Sequence, residues 1–179
     1  PTVFAFTSPL VGPSAEQREK GVAAITAPDI RWGRCDLKTL ALLPNVLAKN
    51  KAISAGHDEA VFIHEGKVME CSASNIFCIR DGVIYSSPVG PKVLPGITRL
   101  VLMRIAERLG ISFREEALPL EEALASDEVF ITSTTRELSW VRQWDGQTNG
   151  DGKCGPITRQ LHEAYLEEVE DEIGSVVAA

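Results

Sequence analysis

Long apolar segments are missing from the sequence. No stretch of the 179-residue chain approaches the roughly 20 apolar residues that cross a bilayer. The first residues also lack the basic and then apolar order of a signal peptide. We therefore expect no membrane association and a cytoplasmic protein. The hydrophobic fraction of 44 % suffices for one sizeable domain with a core.

Basic clusters and ordered cysteine spacings are scarce as well. The sequence has 18 Lys and Arg against 25 Asp and Glu, which gives a formal net charge of −7. Because it also contains no dense basic run, we expect no nucleic-acid partner. The cysteines form no C-x-x-C pair, and the three histidines stand apart. Neither a disulfide framework nor a metal site is predicted from such spacing.

Familiar short catalytic signatures are also missing. The sequence contains no G-x-x-x-x-G-K-[ST], no G-x-G-x-x-G, no H-E-x-x-H and no G-x-S-x-G. Phosphate loops, dinucleotide folds, zinc proteases and α/β-hydrolases therefore receive no support from motifs.

Hydrophobic periodicity predicts a mixture of helices and strands. Helices are predicted over 40–54, 97–109, 120–125 and 157–173. Strands are predicted over 1–6, 21–26, 60–64, 67–70, 76–80, 83–86, 112–117, 128–132 and 138–144, with a polar loop over 9–17. The turns Glu65-Gly66 and Asp81-Gly82 make the strands over 60–86 an antiparallel meander. The pattern favours an α+β fold over a doubly wound parallel sheet.

Four segments stand out from this background. They are RWGRCDLK at 31–38, ECSASNIF at 70–77, LPGITR at 94–99 and ITSTTRE at 131–137. Together they resemble, in order and spacing, the class IV pyridoxal-phosphate aminotransferases, and most closely the D-amino-acid aminotransferase branch. The resemblance implies the large domain of that fold, an antiparallel β-meander or pseudo-barrel with flanking helices. Two mild departures are Cys71, where glycine is common, and Ser86, where threonine is usual.

Lys38 is the catalytic residue that the resemblance implies. It would hold pyridoxal 5'-phosphate as a Schiff base and then shuttle the proton of the substrate as general base and acid. Such an amine needs a partly desolvated site. Because Lys38 lies between the apolar Leu37 and Leu40, we expect it to be partly sheltered.

The other cofactor-binding residues are implied in the same way. Glu70 would keep the pyridine nitrogen protonated. The phosphate would lie at the start of the second predicted helix, on Ile97 and Thr98, with Ser133 and Thr134 completing the cup. Leu94 would pack against the ring, and Arg31 would line the site.

Simpler interpretations of the same residues stay open. Glu70 is also consistent with an outward strand residue, Thr98 with a plain helix cap, and Ser133 with a plain turn. Leu94 is equally well explained as a core residue. Arg31 is also consistent with a surface pair to Asp29 or Asp36.

The resemblance implies a small N-terminal domain in members of the family, and we expect that domain to be absent from this chain. We accordingly divide the sequence into a strand and connector left from the interdomain region, 1–27, and the cofactor-binding large domain, 28–179. The abrupt start without methionine indicates a processed or truncated chain. We expect weak or no turnover from this chain alone, because the absent domain supplies most substrate recognition.

The leading functional hypothesis is transamination, in which an amino group moves from a D-amino acid to a 2-oxo acid. Family resemblance and exposed apolar surface also suggest a homodimer. Two alternatives are a lyase of the aminodeoxychorismate type, which shares the fold and the lysine, and a truncated domain that binds the cofactor without catalysis.

Overall fold

The computed structural model describes residues 2–9 and 12–177, which contain five helices and nine strands. The helices are α1 (Ala15–Lys20), α2 (Leu43–Ser54), α3 (Ile97–Arg108), α4 (Leu120–Leu124) and α5 (Pro156–Val177). The strands are β1 (Val22–Pro28), β2 (Glu59–His64), β3 (Lys67–Cys71), β4 (Asn75–Arg80), β5 (Val83–Ser86), β6 (Phe113–Glu115), β7 (Glu128–Ser133), β8 (Glu137–Trp144) and β9 (Gln147–Thr148).

The strands of the described chain join in one mixed sheet. Their order is β3-β2-β1-β8-β7-β4-β5-β6, and β9 pairs with β8. β1 is parallel to both β2 and β8, and β5 is parallel to β6. The sheet curls into a half-barrel with helices beside it. This arrangement confirms the predicted α+β class.

Two tight hairpins were predicted and are confirmed. The β2–β3 turn at Glu65-Gly66 and the β4–β5 turn at Asp81-Gly82 have positive φ at both residues, as a two-residue hairpin loop of type I′ requires. The hairpins are not neighbours, because β1, β8 and β7 lie between β2 and β4. The four strands therefore do not form one continuous meander.

Alternation along β4 divides the interior into two cores, because successive strand residues face opposite sides of a sheet. Ile76 and Cys78 belong to one cluster, whereas Phe77 and Ile79 belong to another. The second cluster holds α3 and α5 against the sheet through Leu102, Ile105, Phe130, Leu138 and Leu161. A third, smaller cluster of Ala27, Ala52, Ala60 and Phe62 fastens α2 to β1 and β2.

The N-terminus of α5 is capped from the sheet. Glu128 opens β7 and is buried, and its two carboxylate oxygens accept hydrogen bonds from the backbone N–H groups of Ile157 (3.1 Å) and Thr158 (2.8 Å). A carboxylate at this end of a helix satisfies free donors and complements the helix dipole. The cap lies outside the segments that carry the four motifs.

The N-terminal region differs from the prediction. The expected strand over 1–6 is wrong from residue 2 onward, because residues 2–9 have no regular secondary structure, and residue 1 lies outside the described residues. The polar loop predicted over 9–17 gives way to α1 at Ala15, and residues 10 and 11 lie outside the described residues. β1 crosses the predicted domain boundary at residue 27 and lies inside the sheet. No helix among the described residues is long and apolar enough to cross a bilayer.

Candidate active site

Glu70 on β3 is the buried acceptor at the centre of the candidate site. Its Oε1 contacts the Arg31 guanidinium, and its Oε2 accepts hydrogen bonds from Asn75 Nδ2 and from the Leu94 N–H, each at 3.1 Å. The residue is 6 % exposed, so it does not point outward from the strand. Burial raises the pKa of Glu70 above its ordinary value, and the charge of Arg31 opposes that rise.

Arg31 is held from several directions. Asp29 accepts both Arg31 Nε and Nη2 at 2.9 Å, and the Lys92 carbonyl accepts Nη2 at 2.8 Å. The guanidinium carbon lies 4.4 Å from the centre of the Phe62 ring. Burial lowers the pKa of Arg31, but Asp29 and Glu70 outweigh this effect and raise the pKa above its ordinary value. Arg31 is therefore a fixed cation behind Glu70.

The ion pair considered for Arg31 is confirmed for Asp29, but its predicted position at the surface is wrong. Asp29 is its partner, yet the side chains of both residues are buried, at 0 % exposure for Asp29 and 2 % for Arg31. Asp36 pairs with Arg34 instead, near the surface. Burial raises the pKa of Asp29, but the hydrogen bonds and charge of Arg31 outweigh this effect and lower the pKa below its ordinary value.

Asn75, the first residue of β4, connects Glu70 to the segment before α3. Its Nδ2 donates to Glu70 Oε2 and to the Leu94 carbonyl, the latter at 3.0 Å. A Cβ added to Gly96 would collide with the Asn75 side chain, so the glycine permits this close approach. Leu94 is half-buried and contacts Glu70 through its backbone N–H.

The N-terminus of α3 presents open backbone donors. Gly96 is the N-cap, and no side chain among the described residues makes a capping hydrogen bond at this end of the helix. The first N–H groups of an α-helix have no intrahelical acceptor, so those of Ile97 and Thr98 are available to an anion. Thr98 is buried at 6 % exposure, whereas Ile97 is 71 % exposed. Because Gly96 holds the N-cap position, Thr98 is not the cap.

The turn after β7 lies close to Asn75 in the sheet. Thr132 is the register partner of Asn75, so Ser133 and Thr134 follow directly at the same edge. Ser133 Oγ accepts a hydrogen bond from the Arg136 N–H at 3.2 Å, and Thr134 is exposed. The bond to Arg136 is that of an ordinary turn. Ser133 is therefore consistent both with a plain turn and with a contact to phosphate.

Lys38 lies in the loop before α2, and the expectation of a sheltered lysine is wrong for this chain. Lys38 is exposed, as are Leu37 at 46 % and Leu40 at 96 %. Residues 37–42 are all exposed, so no other part of the described chain covers Lys38. Within the described residues, no hydrogen bond or ion pair joins Lys38 to the other candidate residues. The loop is anchored at one side by the Cys35 N–H, which donates to the Pro91 carbonyl at 2.8 Å.

The structure therefore brings together Arg31, Glu70 and Leu94, with α3 and its open donors attached through Asn75. Lys38 and Thr134 stand apart as exposed residues. Sequence reasoning assigned no separate role to Asn75 and left Asp29 as a possible surface partner. Asn75 lies five positions from Glu70, and Asp29 lies two positions from Arg31. Because residues this close in sequence can contact each other, these spacings could have predicted both contacts.

Comparison with known proteins identifies the relatives of this chain. The family model of class IV amino-transferases matches residues 1–144. A D-alanine aminotransferase of Bacillus licheniformis is 44 % identical over 99 % of this chain and 62 % of the relative, and one of Staphylococcus aureus (strain N315) is 43 % identical over 95 % of this chain and 60 % of the relative. The chain thus spans about 60 % of the length of these relatives.

Solved structures agree with this result. The holo, PLP-form branched-chain amino acid aminotransferase of Thermobaculum terrenum superposes with a TM-score of 0.81 at 29 % identity, over 87 % of this chain and 53 % of the other. A branched-chain amino acid aminotransferase of Escherichia coli gives 0.76 at 32 % identity, over 87 % of this chain and 53 % of the other. Because the family model covers most of the chain and the solved structures agree with it, the chain belongs to the class IV aminotransferase family.

Proposed function

We propose that this chain is the cofactor-binding part of a pyridoxal-phosphate-dependent aminotransferase that moves an amino group from a D-amino acid to a 2-oxo acid. The observation that carries the proposal is the buried Glu70 carboxylate, backed by the Arg31 cation and joined through Asn75 to the open N-terminus of α3. The D-alanine aminotransferases among the relatives support the choice of D-amino acids as donors.

The residues present fit pyridoxal phosphate. A pyridinium nitrogen needs an ionised carboxylate, and the donors on Glu70 favour its ionised form. A phosphate needs free N–H groups, which Ile97 and Thr98 supply at the start of α3, with Ser133 and Thr134 as the proposed hydroxyl donors. Leu94 is proposed to face the ring. When bound, the cofactor supplies an electron sink for the substrate carbanion.

Lys38 is proposed to bind the cofactor covalently and to carry the proton that leaves the substrate α-carbon. An amine in this role must be a partly desolvated nucleophile, and Lys38 is exposed in this chain. Something else must therefore cover it. Its loop and the start of α2 present a continuous series of exposed apolar residues, namely Leu37, Leu40, Leu42, Leu43, Val46 and Leu47.

We further propose that a second copy of the protein covers this surface, so that the working form is a homodimer. An exposed apolar surface next to a residue that requires shelter favours an interface over open solvent. Lys38 would then become desolvated by the same contact that buries the leucines. Cytoplasmic placement stays a prediction.

The test of the proposed reaction is a single-turnover assay. The chain is loaded with pyridoxal phosphate and mixed with D-alanine or L-alanine, and conversion of the cofactor to its amine form is followed by absorbance while pyruvate is measured by lactate dehydrogenase. We expect slow conversion with D-alanine that is reversed by 2-oxoglutarate. Conversion should disappear in Lys38→Ala.

Lys51→Ala is the matched control, because Lys51 is an exposed lysine on α2 without a proposed role. It should behave as the parent chain does. Lack of conversion with either alanine enantiomer, both in this chain and after a small N-terminal domain of the family is restored to it, would contradict the proposed transamination. Pyruvate formed in excess of the cofactor without any 2-oxo acid would contradict it as well, because transamination then has no acceptor.

A further inference from the structure

Another buried carboxylate, that of Glu59, has no role in the candidate site as described above. Glu59 opens β2 and is 0 % exposed. Lys49 of α2 places its Nζ 3.2 Å from Glu59 Oε2 and also donates to the Asp58 carbonyl at 2.5 Å. Buried ion pairs are weak contributors to stability, because desolvation offsets their attraction. Their best attested use is to specify one arrangement of the chain.

Glu59 holds the loop that links β3 to β4. Ser72 Oγ donates to Glu59 Oε1, and Ser74 Oγ donates to Oε2 at 3.2 Å. The carboxylate also accepts the Ala60 N–H at 3.0 Å. Counting Lys49, four donors converge on the two oxygens, which satisfies a buried carboxylate. Both serines belong to a loop of only three residues.

The same loop is tied down by its backbone and by α2. The Ser72 N–H donates to the Ala60 carbonyl at 2.8 Å, and the Cys71 N–H donates to the Ser74 carbonyl at 2.7 Å. Asn45 Nδ2 of α2 donates to the Ser72 carbonyl at 2.9 Å. The loop is therefore fixed from both sides, and α2, which follows the Lys38 loop directly, takes part in fixing it.

This loop determines how Glu70 and Asn75 face each other. Glu70 lies on β3 before the loop and Asn75 opens β4 after it, and Asn75 Nδ2 donates both to Glu70 Oε2 and to the Leu94 carbonyl. A change in the loop would turn Asn75 and release Leu94, whose N–H is the other donor to Glu70 Oε2. No hydrogen bond or ion pair joins Glu59 to Glu70 in the described chain, whereas the 72–74 loop contacts Glu59 and connects the strands of Glu70 and Asn75.

We propose that Glu59, with Lys49 as its counter-ion, is a positioning residue that locks the 72–74 loop so that Asn75 and the Leu94 N–H stay bonded to Glu70. The inference deepens the proposed function and rests on it, because it matters to catalysis only if Glu70 serves the cofactor. In Glu59→Gln one oxygen becomes an amide donor, and the four converging donors lose an acceptor.

The first test needs no cofactor. The chain is labelled with ¹³C at the glutamate carboxyls, the Glu70 signal is assigned with Glu70→Gln, and its titration is recorded in the parent chain and in Glu59→Gln. Arg31 and Asp29, the charged groups that act on Glu70, are unchanged in that variant. We expect the pKa of Glu70 to rise by about one unit, because donors to the ionised form are lost.

The second test is cofactor affinity. The dissociation constant of pyridoxal phosphate should increase about tenfold in Glu59→Gln, equivalent to about 1.4 kcal/mol. Glu128→Gln is the matched control, because it also alters a buried carboxylate that accepts two backbone hydrogen bonds, but these come from the start of α5. It should lower the unfolding temperature and leave the Glu70 titration unchanged.

Ser74→Ala provides a milder variant for the case in which Glu59→Gln does not fold, with Ser126→Ala as its control at another buried serine. A Glu70 titration that is unchanged in both Glu59→Gln and Ser74→Ala, while stability falls, would overturn the inference and leave Glu59 a structural residue. If the parent chain binds no cofactor, the proposed function fails, yet the titration still decides whether Glu59 positions Glu70.

Discussion

Replacing Arg31 by methionine tests whether the candidate site is built around a buried cation. The substitution keeps a long unbranched side chain but removes the charge between Asp29 and Glu70. The side chains are 2 % exposed for Arg31, 0 % for Asp29 and 8 % for Glu70, so water cannot replace the lost partner. Breaking one partner of a buried ion pair costs about 3–5 kcal/mol, which is a large part of the stability of a typical domain. We expect a loss of that size in urea unfolding at neutral pH.

The loss should depend on pH in a defined direction. In Arg31→Met both carboxyls lack their counter-ion, so burial raises their pKa values in the folded state above those in the unfolded state. Such groups oppose folding when they are ionised. The stability lost in Arg31→Met therefore becomes smaller as the pH falls through the raised pKa values of the two carboxyls. The parent chain differs at Asp29. There the lowered pKa stabilises the fold above the ordinary carboxyl range, and this contribution is lost as the pH falls through the lowered value.

Arg34→Met is the matched control, because Arg34 lies in the same loop and pairs with Asp36 while its side chain is 56 % exposed. Surface pairs contribute little, so this variant should unfold nearly as the parent chain does. A stability loss in Arg31→Met no larger than that in Arg34→Met would refute the role of Arg31 as a buried cation. A deficit that does not change between neutral and acidic pH would refute it as well.

Two further predictions concern the helix that would bind phosphate and the proposed interface. In Gly96→Ala the new Cβ collides with the Asn75 side chain, so the start of α3 must shift. We therefore expect the dissociation constant of pyridoxal phosphate, measured by equilibrium dialysis, to rise by about tenfold or more. Gly90→Ala, where a Cβ meets open space, should bind as the parent chain does, and equal affinities for both variants would contradict the phosphate site at α3. In Leu47→Asp a charge enters the exposed apolar surface of α2, and analytical ultracentrifugation should show a shift from dimer to monomer. A parent chain that sediments as a monomer at all concentrations would contradict the proposed interface.

Local sequence patterns predicted most of the elements. The periodicity over 97–109 and the turn signals at Glu65-Gly66 and Asp81-Gly82 are properties of short segments, and the structure confirms the helix and both hairpins. The strand order was not predictable in the same way, because pairing between β1 and β8 joins residues more than a hundred positions apart. The prediction of a strand over 1–6 was wrong for a related reason. An apolar run forms a strand only when a neighbouring strand pairs with it, and residues 2–9 have none in the described chain.

The candidate site was likewise only partly predictable from the sequence. The motif that contains Glu70 predicted a carboxylate for the pyridine nitrogen of the cofactor, and that role stays a prediction. The structure adds that Glu70 is buried and that Arg31, Asn75 and Leu94 hold it. The shelter of Lys38 was inferred from its apolar neighbours, but those neighbours are exposed themselves. A leucine beside a lysine indicates burial only when another surface covers both, and sequence spacing cannot say whether that surface belongs to the same chain.

Covalent attachment of the cofactor to Lys38 is the property on which the proposed function depends most directly. The chain is incubated with pyridoxal phosphate, reduced with borohydride and digested, and the modified peptide is identified by mass spectrometry. We predict that the phosphopyridoxyl group is found on Lys38 in preference to other lysines such as Lys49, Lys51 and Lys92. Modification spread evenly over the lysines, or its absence from Lys38, would contradict the assignment of this chain as the cofactor-binding part of an aminotransferase.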